Sequence, residues 1–487
     1  MADPLDSKHE VEQALELAAR EAARYVAGLD ADPVQPQGSD AALPPARSSL
    51  PEEGDGSLRP IAELARLGHA TATRSSGPRF FHFVVGGTTP AALGADWLAS
   101  TLDQNVVAWP SSPLGARLEQ VTLDWLRQLF DLPPEFDGVL TTGGTMANFV
   151  GLAAGRDWCA GRQGVSAAEQ GLAAMPQIPV FSSGHIHASA LKALSLLGVG
   201  RGNVRKLAAD GTGRLDLAAL GSALRALGGA PSIVVANAGE VNSGAFDPID
   251  DMAELAERHG AWLHVDGAFG LFARLAPRSA DLAAGAERAH SVAADGHKWL
   301  NVPYDCGFAL VRRADWSIDS YAGQAAYLPE GDDARPGFGF RGPESSRRAR
   351  ALAVWATLRA YGRSGYRAMV ERHLDLAQRL AARVDAEPEL ERLAEVPLNI
   401  VCFRWKPEGA EAEELDELNR RLGEELLHDG RVFAGTTVYD GKVAFRPALS
   451  NWRTREEDVD LLVDVLLELA RSMRPATAPP TAPRAAP

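Results

Sequence analysis

Lysine and aspartate do their most useful chemistry at the end of a strand, where a ligand can reach them and water competes poorly, and this sequence has both in that setting. The stretch Ser291-Val292-Ala293-Ala294-Asp295-Gly296-His297-Lys298-Trp299-Leu300-Asn301 puts Lys298 just beyond a short apolar run, beside an imidazole and a large aromatic. A desolvated lysine yields its proton readily, and the free amine can form a Schiff base with a carbonyl. In His264-Val265-Asp266-Gly267-Ala268-Phe269-Gly270 a second apolar run ends in a carboxylate. Thr141-Thr142-Gly143-Gly144-Thr145-Met146-Ala147-Asn148 follows a third run and opens a helical pattern. Its glycines let backbone N–H groups approach closely, Thr145 adds a hydroxyl, and the helix N-terminus adds partial positive charge, so it reads as an anion site, most simply for phosphate. It is neither GxxxxGK[ST] nor GxGxxG, so no nucleotide reading gains from it. Ser183-Gly184-His185-Ile186-His187-Ala188-Ser189 brings two imidazoles to a fourth strand end. Taken singly, each has a plainer reading: a Gly-rich turn, a helix-capping or solvated aspartate.

Taken together, a phosphate cradle, a strand-end carboxylate and a strand-end lysine are what pyridoxal 5′-phosphate requires of a protein. Lys298 holds the aldehyde as an imine, and Asp266 keeps the pyridine nitrogen protonated so that the ring can accept an electron pair from the substrate Cα. A carboxylate beside a cation gains roughly 4 kcal/mol at an effective dielectric of about 20, enough to hold that proton at neutral pH. One imidazole can lie flat over the ring, with Ala268 on its other face.

These residues need a scaffold that brings strand ends together. Apolar runs at 138–140, 178–183, 232–239, 261–268, 290–295 and 307–313 alternate with helical patterns. Such alternation predicts an α/β fold with a mostly parallel sheet covered by helices on both faces, its ligand outside the carboxyl ends of the strands. Residues 8–28 read as one amphipathic helix that docks on the rest, and 30–60 as an extended Pro- and Gly-rich connection. Helical patterns dominate from about 345 to 386, and an α+β segment follows. The tail 474–487 is low-complexity and predicted disordered. The expected division is 1–77 as N-terminal helix and docking segment, 78–365 as large cofactor domain, 366–473 as small C-terminal domain and 474–487 as tail.

Composition narrows the class. The 487 residues are 46% hydrophobic and 23% charged, which fits a large soluble globular protein. With Lys plus Arg at 49 and Asp plus Glu at 64, the formal charge of −15 disfavours nucleic acid and anionic membrane surfaces. Cys159, Cys306 and Cys402 stand far apart, so neither a disulfide framework nor a cysteine zinc site is expected. The acidic N-terminus and the lack of any long apolar run point to a cytoplasmic protein without export or membrane insertion.

The ordered set TTGGTMAN, HIHASALKA, HVDGAFG and DGHKWLNVPYDCG resembles the group II pyridoxal-phosphate-dependent decarboxylases, which act on aromatic amino acids, glutamate or histidine. The resemblance runs from about Pro78 to the closing helix after Thr454. It implies the fold type I aminotransferase architecture and a homodimer with active sites at the interface. By its motifs, Lys298 resembles the Schiff-base lysine, Asp266 the pyridinium partner and His187 the ring-stacking residue, with His185 the competing candidate. Gly144, Thr145, His297 and Asn148 resemble phosphate contacts. Phe83, Val84 and Val85 match a segment that lines the substrate side chain, and their apolar character favours an aromatic substrate. Arg446 is placed to bind a carboxylate or to form a structural ion pair. The implied activity is decarboxylation of an L-amino acid to amine and CO2 through a quinonoid carbanion.

Two departures stand out. Relatives carry a mobile loop whose tyrosine is thought to protonate that carbanion; the matching stretch is 327–341, and Phe338 stands where the tyrosine would be, which makes it a candidate substrate contact. A phenyl ring cannot donate a proton. Either His187 or water supplies it, or decarboxylation proceeds with oxidative deamination, as the resemblance to aldehyde synthases with Phe at this place implies. An aminotransferase and a non-catalytic cofactor-binding homologue also remain open. The second departure is Glu240, where many relatives have threonine near the cofactor; it either faces the ring or is a polar strand-end residue.

Overall fold

A computed structural model describes residues 7–47, 49–313, 315–321, 332 and 334–473. The proposed tail from Arg474 and the part of the proposed lid at 327–331 and 333 lie outside the described residues.

Among the described residues, β1 (Asp137–Thr141), β2 (Val180–Ser182), β3 (Val204–Lys206), β4 (Ile233–Asn237), β5 (Trp262–Asp266), β6 (Ser291–Asp295) and β7 (Gly307–Val311) form a sheet in the order β1-β7-β6-β5-β4-β2-β3. Neighbours from β6 to β3 run parallel, and β7 is antiparallel to both β1 and β6. Burial explains the sequence character of these strands: β2, β4, β5, β6 and β7 are buried along their whole length, so they read as continuous apolar runs without alternation. The order jumps between β1 and the rest, and at such switch points the carboxyl ends open a crevice. The polar residues Asn237, Asp266 and Asp295 each close their strand on that edge, with Asn237 and Asp266 paired in register.

A second sheet, in the order β10-β11-β9-β8, is built from β8 (Leu390–Arg392), β9 (Phe403–Trp405), β10 (Thr436–Tyr439) and β11 (Lys442–Phe445), all antiparallel. Helices Leu415–Asp429 and Glu456–Ser472 cover it and contribute Leu422, Leu426, Leu462 and Leu466 to its core. The helix Ala351–Ala386 joins the two cores: residues to Leu374 pack with the large sheet, and those from Leu376 with the small one. Gly362, at φ 57°, breaks its helical geometry, a turn a side chain would strain.

Helix Val11–Gly28 buries none of its residues and lies against helix Leu58–Thr71, where Tyr25 meets His69 edge-on. These helices and Pro90–Leu102 line an apolar groove of about 670 Å³. Val11, Leu15, Leu64, Trp97 and Leu98 stay exposed there and nearby. Among the described residues no helix is long and apolar enough to cross a membrane. The three cysteines are free and buried, and burial pushes their thiols up to about 12.

Candidate active site

Three segments far apart in sequence meet beyond the sheet. β1 ends in Thr141, Gly143 adopts φ 134°, and the helix Gly144–Gly161 begins. A side chain at Gly143 would meet His297, so this close approach requires glycine. The first helical amide, Gly144 N–H, donates to Asp295 Oδ1, and Asp295 Oδ2 lies 2.9 Å from Lys298 Nζ. Asp295 is buried, so its charge is balanced by a helix N-terminus and an ammonium group rather than by water. His297 completes the cluster: its Nδ1 accepts from the Cys306 amide at 3.4 Å, its Nε2 lies 3.4 Å from Asp295, and its ring stacks on Tyr304 at 4.3 Å. Burial lowers the His297 pKa, opposed by the Asp295 charge.

Asp266 lies on the neighbouring strand end. Its Oδ1 accepts from the Ala268 amide at 3.2 Å and its Oδ2 from Asn148 Nδ2 at 2.8 Å. Ala268 itself is partly exposed, and its carbonyl accepts from the Asp295 amide, which ties the two strand ends together. The resemblance places Asn148 among the phosphate contacts. In the structure its amide is fully engaged elsewhere, donating to Asp266 and to Ser189 Oγ (3.1 Å) and accepting from His264 Nε2 (2.8 Å). The reason is helical phase, since Asn148 is buried one turn beyond the first amides, whereas Thr145 stays half-exposed beside them.

The two histidines of the fourth strand end separate clearly. His187 caps helix Ala188–Leu196; its Nδ1 accepts from the Ser189 amide at 3.2 Å and pairs with Ser189 Oγ at 2.7 Å, and its ring is exposed. Ser189 carries it to Asn148 and so to Asp266. His185 instead lies against Gly213, near Asp247. Asp247 takes hydrogen bonds from Ser183 and Asn237, and burial raises its pKa.

The segment before helix Pro90–Leu102 runs against the lysine. Gly86 N–H donates to the His297 carbonyl at 3.3 Å, and a side chain at Gly86 would collide with the Lys298 carbonyl. Of the three residues expected to line the substrate, Val84 belongs to the main core and Val85 packs with Val34 and Phe80. Phe83 alone exposes its ring, at 57%, from a backbone with φ 56°, an unusual conformation for an aromatic residue. Its carbonyl accepts from Arg446 Nη1 at 3.1 Å, and burial lowers the Arg446 pKa, opposed by Glu240. Glu240 is taken up by its own turn, accepting from the Asn242 amide and side chain and from the Ser243 amide and hydroxyl at 2.7–3.0 Å. Phe338 is 1% exposed in the main core, under the Arg341 and Arg347 guanidiniums at 5.0 and 6.0 Å, so its ring is a packing element in this chain.

Sequence reasoning passed over Asp295, His264 and Ser291. A signal for His264 existed: it precedes Asp266 by two residues on one strand, so both point to the same face. Asp295 was visible three residues before Lys298, but its contact with Gly144 lies 151 residues away.

The residues present suit pyridoxal phosphate: a glycine-lined helix N-terminus, a lysine within reach of it, and a strand-end carboxylate with both oxygens tethered. The chain belongs to the pyridoxal-dependent decarboxylase family, whose conserved domain matches residues 43–406. It is a pyridoxal-phosphate-dependent carboxy-lyase of the amino-acid decarboxylase class. Over 418 residues it is 30% identical to an aromatic-L-amino-acid decarboxylase of Bacillus atrophaeus, covering 84% of this chain and 85% of that one. Over 427 residues it is 33% identical to an L-2,4-diaminobutyrate decarboxylase of Rhizobium meliloti, covering 85% and 82%. The solved structure of Oryza sativa TDC with PLP and tryptamine superposes with a TM-score of 0.87 at 26% identity, covering 97% of this chain and all of that one.

Proposed function

We propose that this decarboxylase acts on an L-amino acid with an aromatic side chain and releases CO2 and the amine. The observation that carries the reading is Phe83, an exposed ring held on a strained backbone beside the Lys298 segment, with Arg446 fixed on its carbonyl. An exposed aromatic face favours a flat apolar side chain, and Arg446 offers its remaining donors to a carboxylate.

Lys298 would hold the cofactor aldehyde. The Gly144 and Thr145 amides, the Thr145 hydroxyl and His297 would hold its phosphate, Asp266 its pyridine nitrogen, and His187 and Ala268 its two faces. Bound there, pyridoxal phosphate supplies an electron sink for the pair released when the bond from Cα to the carboxylate breaks. Because His187 Nδ1 accepts from the Ser189 amide, Nε2 is the nitrogen that faces away with a proton to give, and His187, whose exposed ring can take a replacement proton from solvent, is the residue we assign to return a proton to Cα. A second reading, decarboxylation with oxidative deamination, has one observation in its favour: Phe338 has no hydroxyl, and its ring is buried.

The exposed Val11, Leu15, Leu64, Trp97 and Leu98 support a homodimer joined through the N-terminal helices, since patches of this kind mark interfaces. The formal charge of −15 and the buried free thiols support residence in the cytoplasm.

A panel of carboxyl-labelled amino acids tests the reading. Labelled CO2 and amine from tryptophan, tyrosine or a similar substrate, with no keto-acid acceptor, are expected. A clear preference for diaminobutyrate or an acidic amino acid overturns the aromatic assignment. Aldehyde and peroxide with oxygen consumption select the oxidative reading, and keto acid formed only with an acceptor selects transamination.

A further inference from the structure

Behind Asp266 the buried polar side chains form one directed chain. Trp262 Nε1 lies 3.1 Å from Ser291 Oγ, Ser291 Oγ 2.8 Å from His264 Nδ1, His264 Nε2 2.8 Å from Asn148 Oδ1, and Asn148 Nδ2 2.8 Å from Asp266 Oδ2. Trp262, Ser291, His264 and Asn148 are fully buried or nearly so, and Asp266 is 5% exposed. The carboxylate end fixes the sense of the bonds from Asp266 back to His264. The Asp266 carboxylate only accepts, so Asn148 turns its amino group to Asp266 and Oδ1 to His264, which must carry its proton on Nε2; Nδ1 then accepts from the Ser291 hydroxyl, which also lies 3.3 Å from the Gly151 carbonyl. His264 is suited to this, because burial pushes its pKa down to about 4 and keeps the ring neutral with one donor and one acceptor. Strand pairing supplies the alignment, since His264 and Ser291 are register partners of β5 and β6.

The Asn148 amide is the branch point. Its second N–H reaches Ser189 Oγ, which pairs with His187 Nδ1. If the amide turned over, Asn148 Oδ1 would face the Asp266 carboxylate and its amino group would face His264, so the bond to Asp266 would be lost and the Ser189 hydroxyl would be drawn to donate to Oδ1 and away from His187 Nδ1. The acceptor-only Asp266 carboxylate and the His264 N–H together set which way it points.

We propose that His264 is a positioning residue: by fixing the orientation of the Asn148 amide it seats Asp266 against the cofactor's pyridine nitrogen and holds His187 in the tautomer with its proton on Nε2. This rests on the reading that Asp266 serves the pyridine nitrogen. A polar chain of this kind is worth its burial only when every member is satisfied, which is the case from Ser291 to Asp266.

The test uses the holoenzyme reconstituted with cofactor labelled by 15N in the ring, and reads the nitrogen resonance together with kcat and KM. His264→Phe keeps a ring in the same space and removes both hydrogen bonds. It is expected to move the resonance toward the unprotonated position and to lower kcat by about tenfold or more, the low end of what losing an outer hydrogen-bond partner costs at metal sites, with KM little changed. His264→Gln, which keeps a donor toward Asn148, is expected to restore most of both. Ser291→Ala, a smaller change, is expected to shift the resonance partway, and it carries the test if His264→Phe does not fold. A wild-type resonance and kcat in a folded His264→Phe enzyme, or in Ser291→Ala where that variant must serve, overturn the proposal. Asp266→Asn separates the two ideas: an unshifted resonance there overturns the pyridine-nitrogen reading itself, whereas a shift there with none in His264→Phe overturns only the role of His264.

Discussion

Asp295 holds the groups that the cofactor is proposed to use. Its carboxylate takes the Gly144 amide and lies 2.9 Å from the Lys298 amine, the two contacts assigned to phosphate and aldehyde. A buried anion next to an incoming phosphate opposes its binding, by an energy that reaches about 4 kcal/mol at 4 Å and an effective dielectric of 20. Asp295→Asn, which keeps the shape and removes the charge, is therefore expected to tighten cofactor binding by about tenfold, worth roughly 1.4 kcal/mol, and to lower the thermal midpoint of the cofactor-free protein. Cofactor titration followed by absorbance, with melting of the same sample, checks both; weaker binding would count against the competition. Lys298→Ala is expected to remove the visible band of covalently held cofactor and leave non-covalent binding measurable by dialysis.

The strand ends and the segments pressed against them set the geometry of the site. Gly86 lies so close to the Lys298 backbone that a methyl group there must displace one of the two. Gly86→Ala is expected to move the Phe83 segment and to lower kcat/KM on the order of 10- to 100-fold, since displacements of about 1 Å cost that much. Steady-state kinetics with a preserved far-ultraviolet spectrum would show it. A second element-level tie is the Arg347–Glu119 pair, both nearly inaccessible, with two hydrogen bonds of 2.8 and 3.0 Å. Glu119 also accepts from the Leu140 amide, and Arg347 donates to the Leu140 carbonyl, so the pair joins helix Pro113–Leu129 to β1 just before the Gly143–Gly144 turn. Arg347→Met leaves an uncompensated buried carboxylate and is expected to cost about 3–5 kcal/mol in urea unfolding.

Across the whole molecule, burial turns several histidines into acid-sensitive ties. Burial lowers His264 from 6.5 to about 4 and His373 to about 3. His373 accepts from Trp299 Nε1 at 2.7 Å and donates to the Asn451 carbonyl at 2.9 Å, linking the lysine segment to the C-terminal domain. Because the unfolded chain binds protons that the folded chain refuses, the stability these rings contribute is complete above about pH 6.5 and is lost as pH falls toward 4. Each is expected to account for about 2 kcal/mol between pH 6.5 and 5. Urea unfolding at a series of pH values should show the loss, and His373→Gln should flatten the slope; a flat profile in the wild-type chain would contradict the burial of these rings.

How much of this was legible beforehand follows from the range of each interaction. Lys298, Asp266 and the Gly143–Gly144 turn announce themselves because strand, turn and helix start are written within a few neighbouring residues, and their types alone point to pyridoxal phosphate. The alternation of apolar runs and helical patterns carried the α/β layers and the parallel sheet in the same way. Other features depend on partners that only folding brings near. Asn148 finds Asp266 across 118 residues and Asp295 finds Gly144 across 151. Whether His185 or His187 faces the site, whether Glu240 turns inward or into its own loop, and whether Phe338 lines a pocket or fills a core are decided by which neighbour each side chain meets. Local spacing determines what a residue can do, and packing against distant segments determines which of those things it does, because burial and hydrogen-bond geometry are properties of the assembled chain.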